Sequence, residues 1–174
     1  MKLTMLGTGH ALVTKYYNTC FVISDEARHF LVDGGGGNTI LRQLELAGIS
    51  WSDIHDIFVT HKHTDHLMGI IWMMRMICHA MSHGEDCGEV RVYGHNEVLD
   101  ILRDIAQKLL LPREVACIGK KLHLVEVTDG QMLDIIGHRT TFFDMGSSKA
   151  KQFGFSMELY DGEKLTCCGD EPYH

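Results

Sequence analysis

Short apolar runs alternate with turn residues over the first 60 residues of the chain, and this pattern predicts β-strands. Glycine, threonine, asparagine and acidic residues separate the runs, as is typical of turns. The predicted strands cover residues 3–5, 20–23, 30–32 and 56–60. The fourth strand is rich in β-branched residues and runs directly into a cluster of histidines.

Three segments have the spacing or composition of helices. Residues 38–47 carry apolar side chains at helical spacing before a stop signal at Gly48, and residues 97–111 form an amphipathic pattern that ends before Pro112. Residues 67–81 are apolar on nearly every face and contain five methionines. We expect this helix to be buried or to lie at a subunit interface, with plain packing favoured over a ligand or partner groove.

The second half of the chain is richer in strand patterns than the first. Asp129-Gly130 and Asp161-Gly162 are strong hairpin-turn signals. The predicted strands cover residues 90–93, 122–127, 131–136, 139–143, 153–159 and 165–168. The whole pattern predicts one mixed α/β domain over residues 1–174, with a β-rich second part.

Composition and charge exclude several classes of protein. Hydrophobic residues make up 45% of the 174 residues and charged residues 22%, with two prolines, which is typical of a folded chain. The net charge of −7 argues against charge-driven binding of nucleic acid. The longest apolar stretch, residues 67–74, is far shorter than the ~20 residues of a membrane span. No apolar leader and no C-x-x-C pair are present, so we expect a cytoplasmic protein with reduced thiols and no membrane partner.

The segment 61–66 concentrates three of the 12 histidines around one aspartate. In an extended chain, His61 and His63 point to the same side and can present their imidazoles to one ion. A turn into the following helix would bring Asp65 and His66 to a nearby point. Three imidazoles and a carboxylate suit zinc, with iron or manganese as alternatives, rather than calcium. A solvated polar loop is the competing interpretation.

Asp170 is a second acidic candidate, directly after the predicted strand 165–168. An aspartate at the end of a strand can bridge two cations, with one carboxylate oxygen on each. Because Gly-Asp is also a common turn sequence, Gly169-Asp170 does not identify a metal site without the histidine segment.

Five short motifs occur together along the chain and carry a family resemblance. They are Gly7-Thr8-Gly9, the segment 14–18, Asp33-Gly34-Gly35-Gly36, the histidine segment 61–66 and Gly169-Asp170. In this order they resemble the metallo-β-lactamase superfamily, in particular its ribonuclease Z-like branch of metal-dependent hydrolases, over essentially the whole chain. The resemblance implies an α/β (α+β) fold, an αββα four-layer sandwich with two sheets face to face between helices. It also implies that the C-terminal part of this sandwich is shortened here.

The resemblance implies a role for each residue of the matching motifs. His61 and His63 would hold a first metal ion, Asp65 and His66 a second, and Asp170 would bridge the two. Asp33 would be a carboxylate behind the ligands, orienting them. The resemblance also implies that the ions activate a water molecule and that the catalytic Asp65 helps to take its proton.

Two departures from the family pattern stand out. The family places another metal-binding histidine on a late loop, where this chain aligns Gly146, so Asp144 and His138 are candidate substitutes. The family also continues past Gly-Asp to a final histidine and to an acidic-His segment that protonates the leaving group, whereas this sequence stops at residue 174. His174 is a further candidate ligand. We therefore expect a fragment, a shortened relative, or a site completed by a neighbouring subunit.

Three features near these motifs have both functional and ordinary interpretations. His10 could contact a substrate near the first loop. Lys149 and Lys151 could steer a phosphate, or could simply be solvated. The glycines at 34–37 lack the Gly-Lys-Ser/Thr of a P-loop, so we expect a tight turn that lets the backbone pass close to the metal site.

The preferred interpretation is a metal-dependent hydrolase that uses one or two divalent transition-metal ions. The favoured substrate is a small-molecule or short phosphodiester, because the branch that the chain most resembles cleaves phosphodiesters. Hydrolysis of an ester or a thioester is the open alternative. Processing of transfer RNA precursors is disfavoured, since no insertion of suitable size for an RNA-gripping arm occurs between residues 147 and 165. The alternative is a non-catalytic protein of the same fold with a degraded site and a structural or binding role. Apolar surface that later family elements would cover predicts a homo-oligomer.

Overall fold

The structure, a computed structural model, describes residues 1–170, and within them ten strands form two sheets. The first sheet contains, in spatial order, β1 (Lys2–Gly7), β2 (Cys20–Asp25), β3 (Arg28–Val32), β4 (Ile54–Phe58), β5 (Val90–Gly94) and β6 (Leu122–Glu126). The second contains β7 (Met132–Ile135), β8 (His138–Asp144), β9 (Phe153–Glu158) and β10 (Lys164–Cys167). The helices are α1 (Thr39–Leu46), α2 (Thr64–Ser82), α3 (Asn96–Leu109) and the short α4 (Pro112–Val115).

The order of strands and helices explains why one edge of the larger sheet collects functional residues. Strands β1, β2 and β3 are antiparallel neighbours, whereas β3, β4, β5 and β6 run parallel. Each parallel pair is joined through helix, as parallel pairing requires. The carboxyl ends of β3, β4 and β5 therefore lie side by side at one edge, which is the usual location of ligand sites in such sheets.

Two hydrophobic clusters hold these layers together. The first joins the helices to the outer face of the larger sheet and includes Met73, Met74 and Met81 of α2. The second lies between the sheets and contains no helical residue. Its aromatic centre consists of Phe30, Phe58, Phe142 and Phe155, with ring centroids 5.1–6.5 Å apart. Aromatic pairs at these distances add to the stabilisation that burial alone gives.

The predicted fold class is confirmed: the chain is mixed α/β, with two sheets packed face to face. In the part of the chain that the structure describes, the helices pack on the larger sheet only. None of the helices in residues 1–170 is long and apolar enough to cross a membrane.

The predicted elements are found, with shifted ends in two places that matter for the site. Strand β4 ends at Phe58, two residues before the predicted end, and α2 begins at Thr64, three residues before the apolar run. Asp65 and His66 thus belong to the first turn of the helix. Burial of Met73, Met74 and Met81 supports the core-packing interpretation of the methionine-rich segment.

One of the two predicted hairpin turns is wrong. Asp161-Gly162 joins the antiparallel strands β9 and β10, as expected. Asp129-Gly130, however, lies between β6 and β7, which belong to different sheets. The turn between β7 and β8 is made by Ile136 and Gly137, both at positive φ (50° and 88°). This turn is not predicted from the sequence because a β-branched residue such as isoleucine is disfavoured at positive φ.

Candidate metal centre

The candidate site lies where loops from both sheets meet. Asp33 follows β3, His61 and His63 follow β4, and Asp170 follows β10. An isolated backbone β-bridge between His61 and Gln152 connects the two sheets here. The amide of Phe153 also donates to the carbonyl oxygen of Thr60 at 3.0 Å. Residues more than 90 positions apart in sequence are thereby held in one place.

The imidazoles of the histidine segment converge as the sequence pattern predicts. His61 Nε2 lies 2.9 Å from His63 Nδ1, with ring centroids 4.5 Å apart. The His66 ring lies 4.2 Å from that of His61. His61 and His66 are buried, at 0% and 2% exposure, whereas His63 is exposed. Three ring nitrogens therefore face a common region that is open to solvent on the His63 side.

Asp33 fixes the orientation of two of these rings. Its carboxylate accepts hydrogen bonds from Thr60 N and Thr60 Oγ1, both at 2.8 Å, and from His66 Nδ1 at 2.7 Å. Since the Thr60 hydroxyl proton points to Asp33, the same oxygen accepts the proton of His61 Nδ1 at 2.9 Å. Both rings consequently turn Nε2 toward the site. This arrangement of ligand, supporting donor and carboxylate is typical of metal-binding histidines.

The two oxygens of Asp170 face different histidines. Oδ1 lies 3.3 Å from His66 Nε2, and Oδ2 lies 3.8 Å from His61 Nε2. Two groups of three donors follow, each with ligand atoms within 4.8 Å of one another: His61, His63 and Asp170, and Asp65, His66 and Asp170. The sequence prediction grouped the same residues in the same way.

The spacing of the donor atoms fits transition-metal ions. Two ligand atoms each about 2.1 Å from a tetrahedral ion lie about 3.4 Å apart. His66 Nε2 is 3.4 Å from Asp65 Oδ2 and 3.3 Å from Asp170 Oδ1. The pairs involving His61 span 2.9–3.8 Å. Nitrogen and carboxylate donors at these distances suit zinc, manganese or iron in open, three-ligand shells.

The charges around the site favour a cation. Burial, followed by the neighbouring His66, lowers the pKa of His61 to about 4. Burial opposes a charge on His66 as well, but its hydrogen bond to Asp33 and the charges of Asp33, Asp170 and Asp65 together raise its pKa to about 9. The three carboxylates around the two buried imidazoles therefore favour the presence of a positive charge in this region.

The glycine-rich loop after β3 allows the backbone to approach the first turns of α2 closely. Gly34 N donates to the carbonyl oxygen of His66 at 2.8 Å, and Gly69 N donates to that of Gly35 at 2.9 Å. A Cβ atom on Gly69 would lie 1.8 Å from the Gly34 oxygen. Tyr17 closes the other side of the loop, with its hydroxyl 2.7 Å from the carbonyl oxygens of Gly34 and Gly37.

The substitute ligands suggested by the sequence are not brought to this point. His138 begins β8, about 20 Å along the strand from Asp144, and its ring binds the Glu158 carbonyl and Asp25 instead. Asp144 accepts from Gly146 N at 2.9 Å and belongs to neither donor group of the described residues. The described structure therefore brings neither His138 nor Asp144 into a donor group, and their role as replacement ligands stays a prediction. His174 lies outside the described residues.

A cleft of about 410 Å³ opens beside the donor groups. His63, Asp65, His66 and Asp170 form one side of it. The other lining residues are Gly9, His10, Thr19, Ser147, Lys149, Ala150 and Gln152. The late loop contributes Ser147 to this lining rather than its neighbour Gly146, whose added Cβ would meet no atom within 4 Å.

Two functional residues escape sequence reasoning. Thr60 connects His61 to Asp33, and its position directly before the first histidine is the one signal that could have indicated this role. Gln152 pairs with the backbone of His61 and donates to the carbonyl oxygen of Cys168 at 3.1 Å. Nothing in the sequence near Gln152 indicates that the two sheets meet there.

Known structures share this architecture over nearly the whole chain. Human tRNase Z, short form, matches with a TM-score of 0.73 at 21% identity, covering 98% of this chain and 69% of that one. YhfI from Bacillus subtilis, a metallo-β-lactamase fold protein, matches with a TM-score of 0.71 at 16% identity, covering 99% of this chain and 63% of that one. At these identities the neighbours show the fold alone, which is the metallo-β-lactamase fold.

Sequence relatives narrow the class to one family. Ribonuclease Z of Rippkaea orientalis is 29% identical over 179 residues, covering 99% of this chain but 54% of its own length. Ribonuclease Z of Methanococcus aeolicus is 32% identical over 106 residues, covering 60% of this chain and 31% of its own. The family described as "Anti-Pycsar protein Apyc1" matches residues 1–171, and the chain belongs to it. A Saccharibacillus brassicae protein of that name is 36% identical over 70 residues, covering 40% of this chain and 28% of its own.

Proposed function

We propose that this chain is a metal-dependent phosphodiesterase acting on small phosphodiesters. The observation that carries the proposal is the pair of donor groups that share Asp170, one with His61 and His63 and the other with Asp65 and His66. A hydrolase of the superfamily is supported independently by the ribonuclease Z relatives and by the tRNase Z fold. One or two divalent ions, zinc first and manganese or iron as alternatives, would occupy these groups.

Separate residues of the chain orient the proposed ligands and accept the proton of water. Metal ions in such a site supply Lewis acidity and lower the pKa of water toward neutrality. Asp33 and Thr60 hold the rings of His61 and His66 with Nε2 toward the site. Asp65 lines the cleft at 8% exposure and is positioned to take the proton that water loses as it attacks phosphorus.

The cleft supports a substrate of nucleotide size rather than a folded RNA. Its volume of about 410 Å³ lies in the range of small-molecule sites. The connections β8–β9 and β9–β10 are short, so neither forms an RNA-gripping arm. The net charge of −7 also opposes stable nucleic-acid binding. A diphosphatase of the PhnP family has a similar fold, with a TM-score of 0.65 at 14% identity and 61% of that chain covered.

Metal analysis combined with turnover tests the proposal. Protein purified without chelator should contain divalent metal and hydrolyse bis-p-nitrophenyl phosphate, a linear dinucleotide or a 3′,5′-cyclic nucleotide. His63→Ala removes an exposed ligand without opening the core, so it should keep the fold and lose metal and turnover. Lys108→Ala, on the exposed face of α3, is the matched control that should change neither. Wild-type protein that binds metal tightly but hydrolyses no ester in the panel would refute the proposal.

A non-catalytic role is the second candidate, and one observation favours it. Gly146 stands where the family pattern expects a further histidine, and glycine has no side chain to supply a ligand. A protein with this fold that binds neither zinc nor manganese and shows no turnover would fit a structural or binding role.

We also propose that the chain forms a homo-oligomer in the cytoplasm. Strand β1 is an edge of the larger sheet, and its Leu3 and Met5 are 51% and 47% exposed. Unpaired apolar edge strands favour association with another chain. Sedimentation at micromolar concentration should give a mass of at least two chains; a single 19.6 kDa species would contradict this.

A further inference from the structure

We propose that Lys149 donates the proton that the departing oxygen of the substrate needs, an inference that rests on the proposed phosphodiesterase function. Hydrolysis of an alkyl phosphodiester expels an alkoxide, which is strongly basic and leaves far more readily when it is protonated. A side chain that supplies this proton accelerates such reactions by about 10²–10⁴-fold. The donor must line the cleft and must not be occupied as a metal ligand.

The cleft lining leaves two candidates among the described residues. Six of its side chains titrate, and His63, Asp65, His66 and Asp170 are the proposed ligands. His10 and Lys149 are the remaining two, from the loop after β1 and the loop between β8 and β9.

His10 is the weaker candidate because one of its ring nitrogens is already engaged within its own loop. Leu12 N donates to His10 Nδ1 at 3.4 Å. The ring can still offer Nε2 to a substrate, a role suited to orienting the substrate rather than to supplying the proton.

Lys149 meets both requirements. Lys149 lines the cleft, and the ion pairs formed within residues 1–170 do not include its ammonium group. Its backbone amide donates to Ser147 Oγ at 3.3 Å, which fixes the loop that carries it. An alkoxide is a stronger base than a lysine amine, so the proton passes to the departing oxygen.

The step is balanced with water as the other reactant. The water oxygen bonds to phosphorus, and Asp65 takes one water proton. The bond between phosphorus and the departing oxygen breaks with its electron pair on oxygen, which takes a proton from Lys149 Nζ. Asp65 then releases a proton to solvent and Lys149 recovers one, so one water molecule is consumed per ester cleaved.

Lys151 provides a matched control two residues away. Its ammonium donates to Asn96 Oδ1 at 2.7 Å and lies 5.6 Å from the centre of the Phe153 ring. It is not part of the cleft lining. A lysine of the same loop and charge is therefore directed away from the proposed reaction.

The dependence of kcat on the leaving group distinguishes proton donation by Lys149 from simple electrostatic attraction of the phosphate. Lys149→Arg keeps the positive charge but holds its protons too tightly to donate them. We expect it to lower kcat by about 10²-fold for substrates that expel a sugar alkoxide, the dinucleotide TpT and 3′,5′-cyclic AMP. For bis-p-nitrophenyl phosphate, whose leaving group needs no proton, kcat should stay within about threefold. Lys151→Met should leave both rates within about threefold.

Binding of inorganic phosphate gives a readout that does not depend on turnover. By calorimetry on the metal-loaded protein, Lys149→Met should weaken phosphate binding about tenfold, while Lys149→Arg and Lys151→Met should not. Equal losses of kcat on both kinds of substrate in Lys149→Arg, or no loss on either, would overturn proton donation. A wild type that cleaves only the nitrophenyl ester would also overturn it. A wild type with bound metal and no activity would instead refute the proposed function.

Discussion

At the scale of single residues, Asp33 explains how buried histidines can be held ready for a metal ion. It accepts hydrogen bonds from both Thr60 donors and from His66. Its backbone adopts φ of +58°, a conformation that aspartate and asparagine tolerate better than most residues. The side chain therefore supports two of the proposed ligands from a single point, His66 directly and His61 through Thr60.

Replacing Asp33 by asparagine tests this role. Asp33→Asn would keep the backbone conformation but remove the negative charge behind His66 and one acceptor. We expect metal affinity to fall about 10–100-fold, because removal of such a supporting group has effects of this size. Competition with a chromogenic chelator measures it. Asp56→Asn, a half-buried carboxylate of β4 that binds Tyr93, is the control; equal affinities for both variants would contradict the role of Asp33.

The residues that could be predicted from the sequence are those whose role follows from their spacing within one short segment. The 61–66 segment identified four of the donors, because imidazoles two residues apart share a side. Asp170 needed the family resemblance as well. Thr60 and Gln152 could not be found in this way, since their roles depend on contacts made only after the sheets have packed.

At the scale of elements, the contact between the glycine-rich loop and α2 determines where Asp65 and His66 stand. Gly34 and Gly69 approach so closely that neither position has room for a side chain. The helix start is thereby fixed against the end of β3, which carries Asp33. An alanine at position 69 would force the loop and the helix apart.

Gly69→Ala is expected to lower the free energy of unfolding by about 3 kcal/mol, at the upper end for overpacked cores. Urea denaturation followed by circular dichroism measures the change. Gly37→Ala is the control in the same loop, because a Cβ there would meet no atom within 4 Å. Its effect should stay within about 1 kcal/mol. A Gly69→Ala variant as stable as Gly37→Ala would contradict the close contact.

Element boundaries were predicted less well than element types. The α2 prediction began at the apolar run, although the helix starts earlier, at polar Thr64. The hairpin at Ile136-Gly137 was missed because tertiary packing imposes a conformation that isoleucine disfavours. In both places long-range contacts outweighed the local pattern.

At the scale of the whole molecule, a second polar cluster joins the two sheets away from the metal centre. Asp25 at the end of β2 accepts hydrogen bonds from Tyr160 at 2.5 Å and from His138 Nε2 at 3.2 Å. Both donors belong to the half of the chain that forms the smaller sheet. The sheets are thus tied at this cluster as well as at the His61–Gln152 bridge.

The pH dependence of stability should report this cluster. The hydrogen bond from Tyr160, followed by His138, holds the pKa of Asp25 below its ordinary value against the effect of burial. Its stabilising contribution is present above about pH 4, the unfolded value, and is lost as pH falls through the folded value. The stability difference between wild type and Asp25→Asn should therefore shrink in acid. The stability difference between wild type and Asp56→Asn should change in the opposite direction as the pH falls, because burial raises the pKa of Asp56.

Anomalous diffraction from crystals grown with zinc or manganese would locate the metal ions relative to Asp170. We expect two anomalous peaks, one on each side of the Asp170 carboxylate, the first against His61 and His63 and the second against Asp65 and His66. Crystals that bind these metals elsewhere, or that show the three imidazoles packed together with no peak between them and Asp170, would contradict this expectation.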